Sequence, residues 1–466
     1  MSVMQLANDA TPCDAACPGT PLPSLRHPQV EALLRQHPEA LHSLVDGLGS
    51  PLHLMLPQVF TGNVQRFQRT FEQHAVDGAL LYAKKANKAD CLVRACSQQG
   101  IGVDVASLGE LEKTLGGGVP GPRIGISGPE KSQRLLELGL SHQCLLAIDS
   151  LNELRRLQQL AHDRGQAARL TLRQRPESHA DSRFGLSPAE CAQAIALCRE
   201  DPRGLRLEGF SFHLGGYSCE QRVEAAAQLL TLCIDTRASG LDHCRRINLG
   251  GGFAVQYVSP QAWERFRQHN HPTHYHAGKS FSDFYPYGAP RACAEALADI
   301  LAAPVEGTIS LAQQAARHGI DFIIEPGRAL LDQAGISAFR VQGVKDRRDS
   351  DGYALVTVQG SSFSLSEQWF NSEYLPEPVL LPASPREPEP FIACIGGSTC
   401  LEADMLTWRK IRFAHPVRPG DLLLYLNTAG YQMDSNESPF HEARLPHKVV
   451  IELDGGALRW QLDGLA

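Results

Sequence analysis

The sequence predicts a parallel (β/α)8 barrel of TIM type over residues 58–334, preceded by an extension over 1–57 and followed by an all-β domain over 335–466. Three observations carry this. Eight short apolar, β-branched runs recur along the chain, and stretches of helical period separate them. Beyond residue 335 the texture changes to alternating strands parted by Pro and Gly, with little helical period. Strand then helix, eight times over, is the pattern of a closed parallel sheet with its helices outside.

Taken in order, residues 1 to about 50 are rich in Pro and small polar residues and then turn weakly helical (VEALLRQH), which reads as a cover rather than a separate domain. The eight runs are Ala79 to Ala83, Gly102 to Ala106, Arg123 to Ser127, Cys144 to Asp149, Ala168 to Arg173, Leu207 to His213, Arg246 to Leu249 and Asp321 to Glu325. The first five are evenly spaced and the last three are not, so the later loops carry insertions. Between them, Ser107 with Glu110, Ser150 with Glu153, Ser187 with Glu190 and Ser218 with Gln221 fit capping boxes that open helices. YALVTVQG, FIACIGG, LLLYLN and HKVVIEL then mark the strands of the last domain, with the Pro-rich stretch 380–390 as an exposed connection inside it.

Composition narrows the function. A hydrophobic share of 43% supports packed cores, and a net charge of -7 leaves no basic field to hold nucleic acid by its phosphates. No apolar run reaches the ~18 residues of a membrane span. Thirteen cysteines, an odd number without regular spacing, read as reduced thiols of a cytoplasmic protein, and Cys13 with Cys17 is a lone pair. His269, His271, His274 and His276 fall in an insertion among Asn, Pro and Tyr, which reads as a loop, and no metal is expected.

Barrel enzymes carry their reactive groups at the carboxyl ends of strands, so those ends are where chemistry should show. The first ends in YAKKAN, the second in VDVAS, the sixth in FHLGG, the seventh in NLGGG and the eighth in IIEPGR. Pyridoxal phosphate needs that set: a lysine for its aldehyde, glycine loops whose amides reach its phosphate, a flat group for its ring and a partner for the ring nitrogen. A carboxylate at that nitrogen keeps it protonated and makes the ring a strong electron sink, which favours loss of carbon dioxide over racemisation.

Through YAKKAN, DVASLGEL, SRFGLS, FHLGGYS, NLGGGF, EPGR, GSTCLEAD and TAGY, from about residue 58 to 452, the sequence resembles the fold type III pyridoxal-phosphate decarboxylases, the diaminopimelate, ornithine and arginine decarboxylases built on an alanine racemase-like barrel. The resemblance implies that Lys85 carries the cofactor aldimine and that His213 stacks on the pyridine. It implies that Gly250, Gly251, Gly252, Gly327, Arg328 and Tyr431 hold the phosphate, and that Glu325 pairs with the ring nitrogen. Cys400 resembles the family's catalytic cysteine, which reaches the partner subunit's site, so a homodimer with shared active sites and an amino acid substrate are implied. Leu401, Glu402 and Asp404 are the expected substrate-contacting residues.

The chain departs from that pattern in three places. His213-Leu214-Gly215-Gly216 lacks the serine of His-x-Gly-Ser, so a hydroxyl contact to the phosphate is absent or comes from Ser218; Leu401 stands where relatives that grip a distal ammonium carry an acid, and Ala429-Gly430-Tyr431 inverts Gly-Ala-Tyr. Each residue also has an ordinary reading: Lys85 as a solvated lysine, His213 as a loop histidine, the glycine triplet as a turn, Glu325 with Arg328 as a surface ion pair, Cys400 as one more buried thiol. Their joint placement at strand ends favours a decarboxylase. A racemase or epimerase on the same barrel, and a cofactor-binding protein without turnover, are the alternatives.

Overall fold

The structure, a computed structural model, describes residues 19–365 and 371–464; the Cys13 and Cys17 pair lies outside them. Two compact units result, one of residues 61–254 and 291–330, the other drawn from the described residues of 19–60, 255–290 and 331–464. Strand β1 (Leu52–Met55) belongs to the second. In the first, β2 (Gly78–Ala83), β3 (Gly102–Val105), β4 (Ile124–Ile126), β5 (Leu145–Ile148), β6 (Ala168–Arg173), β7 (Leu205–Ser211) and β8 (Arg246–Asn248) follow in sequence. A hairpin of β9 (Pro304–Glu306) and β10 (Ile309–Ser310) intervenes before β11 (Asp321–Ile324).

Strand β11 pairs in parallel with both β8 and β2, which closes an eight-stranded barrel in the order the eight runs predict. Its interior is packed by side chains: Leu81, Leu145 and Ile323 form one buried cluster. Gly102 and Gly125 make the room, since a Cβ at either would press on the Leu81 side chain. Burial of each such apolar side chain is worth roughly 1.5–3 kcal/mol.

The outer helices start where the serines say, with one refinement. Ser187 and Glu190 make the full reciprocal box. Ser107 and Ser150 cap their helices, but Glu110 and Glu153 accept from the amides of Ala106 and Asp149, one residue further upstream. Glu153 is thereby drawn inward, where it is fully buried and also binds the Lys131 ammonium at 3.1 Å.

The second unit is built on a nine-stranded sheet. Residues 335–466 give β12 (Gly335–Lys345), β13 (Ala354–Val358), β14 (Val379–Leu381), β15 (Phe391–Gly396), β16 (Met405–Phe413), β17 (Leu422–Leu426), β18 (His447–Asp454) and β19 (Ala457–Leu462). The order is β16-β15-β13-β12-β1-β18-β19, with β17 on β12 and β14 on β17. Strand β1 lies between β12, antiparallel, and β18, parallel, so the extension supplies a central strand rather than only a cover. The insertion at 255–290 belongs to this unit as well: Tyr257, Trp263 and Tyr287 are buried and cluster with Tyr374, at ring separations of 5.5–6.4 Å. Three of its histidines have hydrogen-bond partners: His269 the Arg265 carbonyl, His271 the Thr273 hydroxyl and His276 the Tyr353 hydroxyl.

Candidate active site

Within the barrel unit, Lys85, Asp104, Ser127, His213, Asn248 and Glu325 all stand at or just past the carboxyl ends of strands, the functional face of this fold. Strand β2 runs into a single 3-10 turn, Lys84–Ala86, whose geometry turns Lys84 inward and leaves Lys85 exposed. The Ala83 amide donates to the Pro326 carbonyl at 3.3 Å, tying the lysine turn to the EPGR segment on the adjacent strand. Lys85 is close enough for its charge to act on both Asp104 and His213.

Glu325 is half-buried and Arg328 only 9% exposed, which removes the surface ion-pair reading. Asn248, the last residue of β8, fixes two parts at once. Its side-chain Nδ2 donates to Glu325 Oε1 at 2.5 Å, and its side-chain Oδ1 accepts from the Gly250 amide at 2.9 Å. The Glu325 amide in turn donates to the Gly250 carbonyl at 2.9 Å. The carboxylate and the glycine turn are therefore one hydrogen-bonded piece.

That turn needs glycine at each position. Gly250 and Gly252 have φ of +67° and +80°, where L side chains are strained. A Cβ at 250 would meet the Phe212 carbonyl oxygen and His213 Nδ1 at 2.8 and 2.9 Å, one at 251 the Glu325 carbonyl oxygen at 2.8 Å, and one at 252 would overlap Arg222 Nη2. The His213 ring thus lies against the turn while the residue stays open to solvent. Although the residue as a whole is exposed, desolvation of the ring, then the charges of Lys85, Arg173 and Arg222, lower its pKa from 6.5 and favour the neutral imidazole. A neutral flat ring beside a glycine cradle suits a heteroaromatic phosphate ester.

Asp104 is 2% exposed, accepts from the Ser127 hydroxyl at 2.9 Å through Oδ2, and has an Oδ1 with no hydrogen-bond partner. Burial, and after it the Glu325 charge, raise its pKa well above the usual carboxylate value, while Lys85 pulls the other way. Further round the rim, Asp149 Oδ1 accepts from the Gly185 amide at 3.0 Å and lies 3.4 Å from Arg173 Nη1. The Phe184 ring of SRFG is held between Arg173 and Arg183, at 4.6 and 4.1 Å.

The other expected residues lie in the second unit. Cys400 is the one exposed thiol among the eleven described cysteines, all free, and its Sγ is 3.2 Å from His441 Nε2. His441 holds a positive φ of 59°, as Tyr431 does at 74°, backbone states that non-glycine residues adopt under constraint. Leu401 is 45% exposed and Glu402 is exposed. Asp404 is buried, and its carboxylate accepts from the Ser362 amide (2.7 Å), the Thr399 amide (3.1 Å) and the Thr399 hydroxyl (2.7 Å), so it shapes the cysteine loop. A cavity of about 290 Å3 in this unit is lined by Leu401, Asp404, Phe363, Trp408 and, from the insertion, Lys279 and Phe281.

Fold and barrel rim together define an enzyme site suited to pyridoxal phosphate. Comparison with known proteins gives the family. Residues 61–332 match the model of the pyridoxal-dependent decarboxylase, pyridoxal binding domain, and the chain belongs to that family, with pyridoxal phosphate as its cofactor and carboxy-lyase as its class. The chain is similar to the uncharacterised protein y4yA of Sinorhizobium fredii, 35% identical over 93% of this chain and 94% of that one. It is also similar to the diaminopimelate decarboxylase of Bacillus subtilis, 25% identical over 89% and 88%. Among solved structures, the diaminopimelate decarboxylase of M. jannaschii in co-complex with L-lysine aligns with a TM-score of 0.69 at 19% identity, covering 90% and 91% of the two chains. The lysine/ornithine decarboxylase of Vibrio vulnificus complexed with putrescine aligns at 0.67 and 19%, covering 91% and 99%.

Sequence reasoning had not given roles to Asn248, Asp104, Arg222 and His441. Asp104 stands inside the DVAS motif and Asn248 two residues before the glycine triplet, so a polar residue at a strand's end is the available signal. Arg222 and His441 had none.

Proposed function

We propose that this chain removes the α-carboxylate of an amino acid, with Lys85 as the amine that anchors the cofactor aldehyde. When bound, pyridoxal phosphate supplies the electron sink that stabilises the carbanion left by departing carbon dioxide. Lys85, exposed in the middle of the 3-10 turn, would hold the cofactor aldehyde where a substrate amine can reach it. Glu325, oriented by Asn248, would keep a proton on the ring nitrogen. His213 would cover a ring face, and Gly250, Gly251, Gly252, Gly327 and Arg328 would take the phosphate, a role the family resemblance also gives Tyr431. Cys400 or Lys85 returns a proton to the α-carbon.

The observation that carries this reading is the joining of Glu325 to the glycine turn through Asn248, beside the Lys85 turn on the neighbouring strand. For the substrate, exposed Leu401 and the committed Asp404 favour a side chain less basic than that of lysine or ornithine. The further proposals are a homodimer in which Cys400 completes the partner's site and a cytoplasmic location, the latter supported by the free thiols. No described helix is long and apolar enough to cross a membrane.

The test is a screen of amino acids for carbon dioxide release by the full chain, with Lys85→Ala as control. Release from one substrate, abolished in the variant, is the expected result; loss of optical activity without gas identifies a racemase. Borohydride trapping that labels a peptide other than the one holding Lys85 overturns the assignment. Mixing Lys85→Ala with Cys400→Ala chains should regain activity if sites are shared, and should not otherwise.

A further inference from the structure

Arg222 is among the largest fully buried side chains of the protein, 1% exposed, on the helix Cys219–Ala238. Its guanidinium bonds carbonyls: Nη2 donates to Gly216 at 2.9 Å, Nη1 to Ser218 at 2.9 Å and Nε to Gly251 at 3.3 Å. Two of these belong to the FHLGGYS loop and one to the glycine triplet, so one side chain clamps both loops. Burial lowers its pKa, which marks the cost of holding a cation there. The position of Nη2 is also what excludes any Cβ at Gly252.

A peptide group is planar, with its C=O and N–H pointing opposite ways. Carbonyls drawn toward Arg222 at Gly216 and Gly251 turn the following amides, those of Tyr217 and Gly252, away from it. We infer that Arg222 is a positioning residue of the cofactor phosphate site: it aims those two amides at the phosphate and places a buried positive charge behind them, taking over from the serine hydroxyl that the sequence His213-Leu214-Gly215-Gly216 lacks. This rests on the glycine triplet being the phosphate cradle.

The experiment is equilibrium dialysis of the full chain against pyridoxal phosphate and, separately, against pyridoxal, for wild type, Arg222→Met, Arg222→Lys and Gly251→Ala. Arg222→Met should bind pyridoxal phosphate about 10- to 100-fold more weakly, the range for hydrogen bonds to a charged group, and pyridoxal within about threefold of wild type. Arg222→Lys, which keeps the charge without the three-way fork, should fall between. Equal losses for both ligands mean a general structural role and overturn the inference, as does no loss for either. If Gly251→Ala weakens pyridoxal phosphate and the Arg222 variants do not, only the arginine's part fails; if Gly251→Ala has no effect, the reading of the cradle itself fails.

Discussion

Two buried groups in the β-sheet unit should pull its stability in opposite directions as pH changes. His53 on β1 is 0% exposed, with Nδ1 2.9 Å from the Ser337 hydroxyl oxygen, and burial, then the Lys448 charge, lower its pKa from 6.5 to about 3. Glu373 is 3% exposed, accepts from the Trp408 and Arg409 amides at 2.7 and 3.1 Å, and burial raises its pKa from 4.5 to about 7 against the pull of Arg409. The fold prefers neutral histidine, so that contribution is whole above pH 6.5 and is lost as pH falls toward 3. It also prefers protonated Glu373, so the penalty for the carboxylate is full above pH 7 and is relieved as pH falls toward 4.5. Between pH 7 and pH 5, linkage at about 1.4 kcal/mol per unit makes His53 cost about 2 kcal/mol and Glu373 return about 2 kcal/mol. The pair therefore cancels in wild type. Urea unfolding at pH 7, 6 and 5, following the β-sheet unit, should show His53→Asn gaining about 2 kcal/mol relative to wild type on going to pH 5, and Glu373→Gln losing about as much. Both amides can keep one native hydrogen bond. Parallel pH profiles for all three proteins would refute the linkage argument.

Asn248→Ala removes the donor to Glu325 and the acceptor for Gly250, and should lower kcat/KM for the screened substrate by about 10- to 100-fold, with weakened cofactor retention on dialysis; wild-type values for both sink the bridging role. Iodoacetamide should label Cys400 first among the described cysteines, and His441→Phe should change the rate of that labelling, as mapped by mass spectrometry. An unchanged rate would show that the contact between thiol and imidazole does not govern the reactivity of Cys400. Glu153→Ala strands the Lys131 ammonium, 3% exposed, and should destabilise the barrel by about 3–5 kcal/mol at neutral pH, less at alkaline pH, where the stranded amine sheds its proton.

The barrel was legible because each of its strands is an apolar run bounded by a helix start, and all eight runs became strands of one closed sheet. The extension was less so: Leu52–Met55 is four residues without alternation, and its place is set by β12 and β18, both far along the chain. The insertion at 255–290 read as a loop because its order comes from rings packing on Tyr374 rather than from any local period. Lys85, Glu325 and the glycine triplet stood out because their residue types are demanded by chemistry or by backbone. Arg222 did not, since a cation in a helix of mixed period looks like a surface residue until its three carbonyl partners are placed.

The pairing of β1 has a consequence for biosynthesis. Leu52 and its neighbours emerge early from the ribosome, yet they bond to Ala338 on one side and His447 on the other. The barrel can close once β11 is translated, whereas the sheet waits for almost the last strand, with an unsatisfied apolar edge in the meantime. Nascent chains stalled between those two points should therefore hold a protease-resistant barrel beside a chaperone-dependent amino terminus.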